Sequence, residues 1–247
     1  MVTAEDLRQI YCPEYILDAD NGIKVTEKQK DNPDALAEIT FRYGGHIIYV
    51  TQHILDKSKD IYRSGPDGTL CLRKICDGFI LLDTPDTHYI IYLEMKSGCS
   101  DIRKKAILQI PASYLKINSL LKGFTSFDKS QYRELALIVS YPQKAAPEAD
   151  CSEENVKVMS YKKKMVKHDS EDMIRDKYYS MLISDGIAMF EGSDFHMDKF
   201  RNICPEMRFS KLCVVHKTVP DGCRKAEVDL DEMVAKMSVA GCTCRED

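Results

Sequence analysis

The chain has 247 residues, 44% of them hydrophobic and 30% charged, with a formal net charge of −4. That length suits one large domain or two small ones, able to bury ~70–75% of the unfolded surface. The charge excludes a surface coated in basic groups for non-specific nucleic-acid binding, though not a local basic groove, and the short apolar runs exclude a membrane-spanning helix.

The first residues, MVTAEDLRQIY, place acids where a signal peptide needs a basic and then an apolar stretch. The expectation is an intracellular, cytoplasmic protein. Up to about residue 35 the chain is polar, with DADNG and KQKDNPD as turn or loop signals. ITFRYGGHIIYV (Ile39–Val50) has strand character broken at Gly44-Gly45. Periodicity does not decide whether HIIYV belongs to that strand or to a helix through QHILDKSKDIY. TLCLRK leads into the apolar runs FILL and YIIYL, which flank the turn-like DTPDTH. From Ser100 to Leu121 apolar residues recur every three or four positions: Ile102, Ala106, Ile110, Tyr114, Ile117 and Leu121 line one helical face. Pro111 should kink or interrupt that helix, and Gly123 should cap it.

LALIVSY (Leu135–Tyr141) reads as a short buried strand, and QKAAPEADCSEEN as an internal boundary. A helix over Glu171–Ile183, strands at IAMF and KLCVVHKTV, and a last helix near Leu230–Val239 follow. The order predicts an α/β protein with a central mixed β-sheet flanked by helices. It is taken as a single domain over 1–247, with a core at 36–142 and a C-terminal elaboration at 155–247. The ten cysteines are irregularly spaced, without a CxxC. Cys71, Cys76 and Cys213 lie in apolar runs and read as small hydrophobes. A zinc site from Cys223, Cys242, Cys244 and His216 matches no defensible ligand spacing.

The hairpin carries the chemistry. If Thr84, Pro85, Asp86 and Thr87 form the loop, Asp83 faces His88 and Asp77 falls opposite Glu94. Opposed residues share a face with Cβ atoms ~4.5–5.5 Å apart. Lys96 shares that face, ~6.8 Å further along. A slip of one residue would send Asp77 to the other side. Two carboxylates at ~5 Å repel by roughly 3 kcal/mol at an effective dielectric of ~20. Relief comes from protonation or a cation. Lys96 offers one charge; Mg²⁺ offers two and takes carboxylate oxygens, water and phosphate. Such a site suits metal-assisted attack of water on a phosphodiester. Glu-x-Lys alone is common enough to arise by chance, so its weight comes from the facing Asp, the long apolar strand and the following helix.

Asp77, the hairpin and Glu94-Met95-Lys96 together resemble the signature of the PD-(D/E)xK nuclease superfamily, the restriction-endonuclease-like fold, over roughly Leu70 to Tyr141. The resemblance implies a Mg²⁺-dependent nuclease, with Mn²⁺ as a substitute, acting on nucleic acid and first of all on DNA, in a setting such as restriction or anti-phage defence. It implies that Asp77, Glu94 and the Met95 carbonyl bind the metal, that Lys96 orients or activates the water, and that Gln109 on the next helix assists. Cys76 stands where the family's motif has proline, and the literal Pro85-Asp86 sits in the turn. Glu38 is a candidate for a further upstream acid, Gln52 and His53 weaker ones. Arg103, Lys104 and Lys105 in the first helical turn would meet a phosphate backbone, reversing the cost of cations at a helix N-terminus. Lys162, Lys163, Lys164 and Lys167, after Tyr161, are a second basic run. Residues after Asn155 are left for a homodimer interface, a specificity element or a partner surface. The competing reading is a non-catalytic nucleic-acid-binding or assembly subunit with the same fold.

Overall fold

The computed structural model describes residues 1–26, 36–56, 72, 74–96, 107–140, 186–195, 197, 207–220 and 223–239. Ten strands lie among them: β1 (Ile16–Asp20), β2 (Ile23–Thr26), β3 (Glu38–Arg42), β4 (His46–Thr51), β5 (Gly78–Asp83), β6 (His88–Lys96), β7 (Tyr132–Ser140), β8 (Gly186–Glu191), β9 (Lys211–Thr218) and β10 (Lys225–Asp229). The α-helices are α1 (Ala4–Ile10), α2 (His53–Asp56), α3 (Ile107–Leu121) and α4 (Leu230–Val239).

Seven strands form a mixed sheet in the order β1-β4-β5-β6-β7-β9-β8. Strands β1, β4, β5 and β6 pair antiparallel, β6, β7 and β9 pair parallel, and β8 returns antiparallel at the edge. Near-continuous apolar runs such as FILL and ALIV belong to strands covered on both faces, and both faces here are covered. On one, Phe79, Leu81, Ile90, Tyr92, Ala136, Ile138 and Val214 pack with Ile110, Tyr114, Ile117 and Leu121 of α3 and with Leu7 of α1. On the other, Ile80, Leu82, Ile91, Leu93, Leu137 and Val215 meet a second, three-stranded sheet, β10-β3-β2, and Met233 and Met237 of α4.

The expected α/β fold with a central mixed sheet is present, but helices flank it less than expected: α1 and α3 cover one face, and a small sheet plus α4 covers the other. The polar opening also has more structure than its composition suggests. Thr3 and Asp6 form a capping box that starts α1. Of DADNG, residues 18–20 end β1 and only Asn21-Gly22 make the turn to β2, with Asn21 at φ 66° and Gly22 at φ 127°; a Cβ at Gly22 would lie 2.5 Å from the Phe41 carbonyl oxygen. HIIYV is strand, one helical turn after it (His53–Asp56) lies among the described residues, and Gly44-Gly45 carries the chain from one sheet to the other. The predicted helical face of α3 is buried at all four described positions. Pro111 does not interrupt it; at the fifth described residue it forfeits only the bond to the Ile107 carbonyl. Gly123 is not in the left-handed region. The helix closes instead through tight turns, Gly123 N–H to the Leu120 carbonyl and Phe124 N–H to that of Leu121. The strands at IAMF and KLCVVHKTV and the helix at Leu230–Val239 are present; the helix over Glu171–Ile183 lies outside the described residues.

Candidate functional site

The turn is closed as its residues require: Thr84 N–H donates to the Thr87 carbonyl and Thr87 N–H to Thr84 Oγ1. Asp86 is exposed in it. From there the register runs Asp83↔His88 through Gly78↔Leu93, so Asp77, the residue before β5, stands opposite Glu94. Glu94 and Lys96 follow Ile90 and Tyr92 on the face covered by α3, with Glu94 opposite the core residue Ile138 on β7.

Asp77 is fixed from several sides. Its carboxylate accepts the Met95 N–H at 2.6 Å, its carbonyl accepts from Tyr49 Oη and the Gln52 N–H, each at 3.1 Å, and its own N–H donates to the Leu93 carbonyl. The segment entering β5 is held by α3: Gln109 Nε2 donates to the Ile75 carbonyl at 2.8 Å and Ser113 Oγ accepts the Cys76 N–H at 2.7 Å. Gln109 and Ser113 are one helical turn apart and so share a face. Gly78 adds a close approach: a Cβ there would meet the Tyr49 ring at 2.6–2.7 Å. Gly78→Ala is expected to cost about 1–3 kcal/mol by overpacking and to push Tyr49 off Asp77; an unshifted denaturant midpoint would refute that packing.

Glu94 is 0% exposed. The Lys96 ammonium lies against its Oε1, with the Cys76 thiol also beside the carboxylate. Among the described residues neither carboxylate oxygen has a hydrogen bond of ordinary geometry, and Gln109 Oε1 is likewise buried without one. Burial, and then the charge of Asp77, push the Glu94 carboxyl well above its usual range, against the opposing pull of Lys96. Burial alone would lower the Lys96 ammonium, but Glu94 and Asp77 outweigh it and leave it raised. The Cys76 thiol is pushed well up, by burial first and by Glu94 second. All three groups hold protons more tightly than they would in water, the mark of a buried site with more negative than positive charge. The Asp77 and Glu94 carboxylates are hard oxygen donors, the kind that an ion such as Mg²⁺ takes. Among the described residues no group of three or more His, Cys, Asp or Glu side chains is arranged to hold a metal.

Other sequence candidates fall elsewhere. Glu38 is on β3 in the small sheet, paired with Lys24 at 2.7 Å and Lys225 at 3.4 Å, and does not join Asp77 and Glu94. Gln52 contributes only its backbone, and exposed His53 pairs with Asp56 at 3.4 Å. Arg103, Lys104, Lys105, the lysines from Lys162 to Lys167, Cys242 and Cys244 lie outside the described residues. His216 is buried on β9 against Ser140, while Cys223 is exposed. The bracing roles of Tyr49 and Ser113 had no signal in the sequence, because both depend on how distant segments pack. Among the described residues no helix is long and apolar enough to cross a membrane. No family model, no curated protein and no solved structure matches the chain.

Proposed function

We propose that the chain is a metal-dependent phosphodiesterase, a nuclease of restriction-endonuclease-like type acting on DNA in the first instance. The observation that carries this reading is the juxtaposition of fully buried Glu94 with part-buried Asp77 and Lys96 at one end of a strictly registered hairpin. The hairpin, α3 and the returning strand β7 keep the context in which the motif resembles PD-(D/E)xK nucleases. Asp77, Glu94 and the Met95 carbonyl would hold the ion. When bound, Mg²⁺, or Mn²⁺ in its place, would supply Lewis-acid polarisation of the phosphodiester. Lys96, steadied by Glu94, would donate a hydrogen bond that orients the attacking water or a phosphate oxygen. The apolar floor of Phe79, Ile90 and Tyr92 keeps the local dielectric low, which strengthens each of these interactions.

The test is cleavage of duplex DNA, single-stranded DNA and RNA by the purified protein with and without Mg²⁺. Cleavage is expected to need the metal and to disappear in Lys96→Ala at an unchanged circular dichroism spectrum. If the wild type cuts none of these substrates, the proposal fails. The complete burial of Glu94 favours a second reading, a non-catalytic nucleic-acid-binding or assembly subunit. Calorimetric titration separates the two, since such a scaffold has no reason to take up Mg²⁺ through Asp77 and Glu94.

A further inference from the structure

Two more polar side chains are buried in the same stretch of sheet. Ser140 closes β7 and His216 lies near the end of β9; they are 0% and 1% exposed, and Ser140 Oγ is 2.8 Å from His216 Nε2. Register fixes their place. Lys96 pairs with Ser140 across β6–β7, and Glu94, Ile138 and His216 line up across β6, β7 and β9. Partners on adjacent strands stand ~4.8 Å apart. Tyr92, Ala136, Ile138 and Val214 all belong to the core beneath α3, so Glu94, Lys96, Ser140 and His216, two or four residues further along their strands, continue that face. It is apolar along most of its length and turns polar at the carboxyl ends of the three parallel strands. Those ends are where open α/β sheets receive ligands.

A buried serine and histidine cost free energy unless they are bonded, and bonding to each other satisfies one atom of each. That accounts for the pair but not for its position. A lysine side chain has four rotatable carbons and keeps one geometry only where its surroundings restrain it. Lys96 has Glu94 on its own strand and Ser140 on the next. We propose that Ser140, oriented by His216, is a positioning residue for Lys96, forming the wall that keeps the ammonium turned toward Glu94. The inference rests on Lys96 being the group that orients the attacking water.

The primary test does not depend on cleavage. Lys96 acylation by an amine-reactive ester, followed by peptide mass spectrometry, is expected to rise about fivefold or more in Ser140→Ala and in His216→Asn, while exposed lysines such as Lys122 react as before. Unchanged Lys96 labelling in the folded Ser140→Ala protein overturns the proposal, and that variant decides alone if His216→Asn does not fold. In the cleavage assay Ser140→Ala should lower kcat by about tenfold with KM and Mg²⁺ affinity unchanged; a raised KM or weakened Mg²⁺ binding at unchanged kcat would also overturn it. If the wild type cuts no nucleic acid but Lys96 labelling still responds, positioning stands and the nuclease reading falls.

Discussion

Glu94→Gln is expected to abolish metal-dependent cleavage and, in the absence of metal, to make the protein more stable at neutral pH. A Lewis-acid ion contributes several kcal/mol to such chemistry, so losing its carboxylate ligand should lower the rate by about 10³-fold or more. The stability effect follows from the sign of the Glu94 shift. Its folded pKa lies well above the ordinary value of 4.5. The folded state therefore binds more protons than the unfolded chain, and the contribution, fully present below 4.5, is lost as pH rises through the folded value. Thermal melts of the chelated wild type should fall from mildly acidic toward neutral pH. The Glu94→Gln protein keeps the shape without the charge and should show a flatter profile, and Mg²⁺ should flatten that of the wild type. A variant less stable than the wild type at every pH would mean that Lys96 depends on Glu94 more than Glu94 is penalised by burial.

Tyr114→Ala should be the most damaging single change to the fold outside the site. Tyr114 is fully buried, 5.7 Å from the Tyr92 ring and 4.8 Å, edge-on, from that of Phe209. Lys129 donates to its hydroxyl at 2.5 Å and sits over the ring, linking it to Glu134, which in turn accepts from Asn118 and Tyr92. Removing the ring leaves a cavity between α3 and β6, at a cost of about 3–5 kcal/mol. Tyr114→Phe removes only the hydroxyl and should cost about 1–2 kcal/mol. Urea unfolding of the two variants measures both. A loss below about 1 kcal/mol for the alanine variant would show that α3 does not rest on that ring.

The hairpin was readable because two independent signals agree. A four-residue loop with threonines at its ends fixes where the strands turn, and the apolar runs leave one register that buries them on both sides. From those, the Asp77–Glu94 juxtaposition followed by counting. The helical face of α3 was readable from its period for the same reason. The small sheet was not. Strand β10 has only Ala226 and Val228 to bury, β2 only Ile23 and Val25, and the β10–β3 pairing joins Lys225 to Glu38 from opposite parts of the chain. Short alternation among charges looks like loop until the partner strand is known. Ser140 and His216 were hidden in the same way: each looks ordinary in its own strand, and only the parallel pairing sets them beside Lys96.

The Asp77 carboxylate does at Met95 what a main-chain carbonyl does along the rest of the ladder. An oxygen that closes the last rung is thus also one that an incoming cation would want. Loading the site and zipping the mouth of the hairpin then draw on a single acceptor, and the Met95 amide becomes a built-in gauge of what the two acids hold.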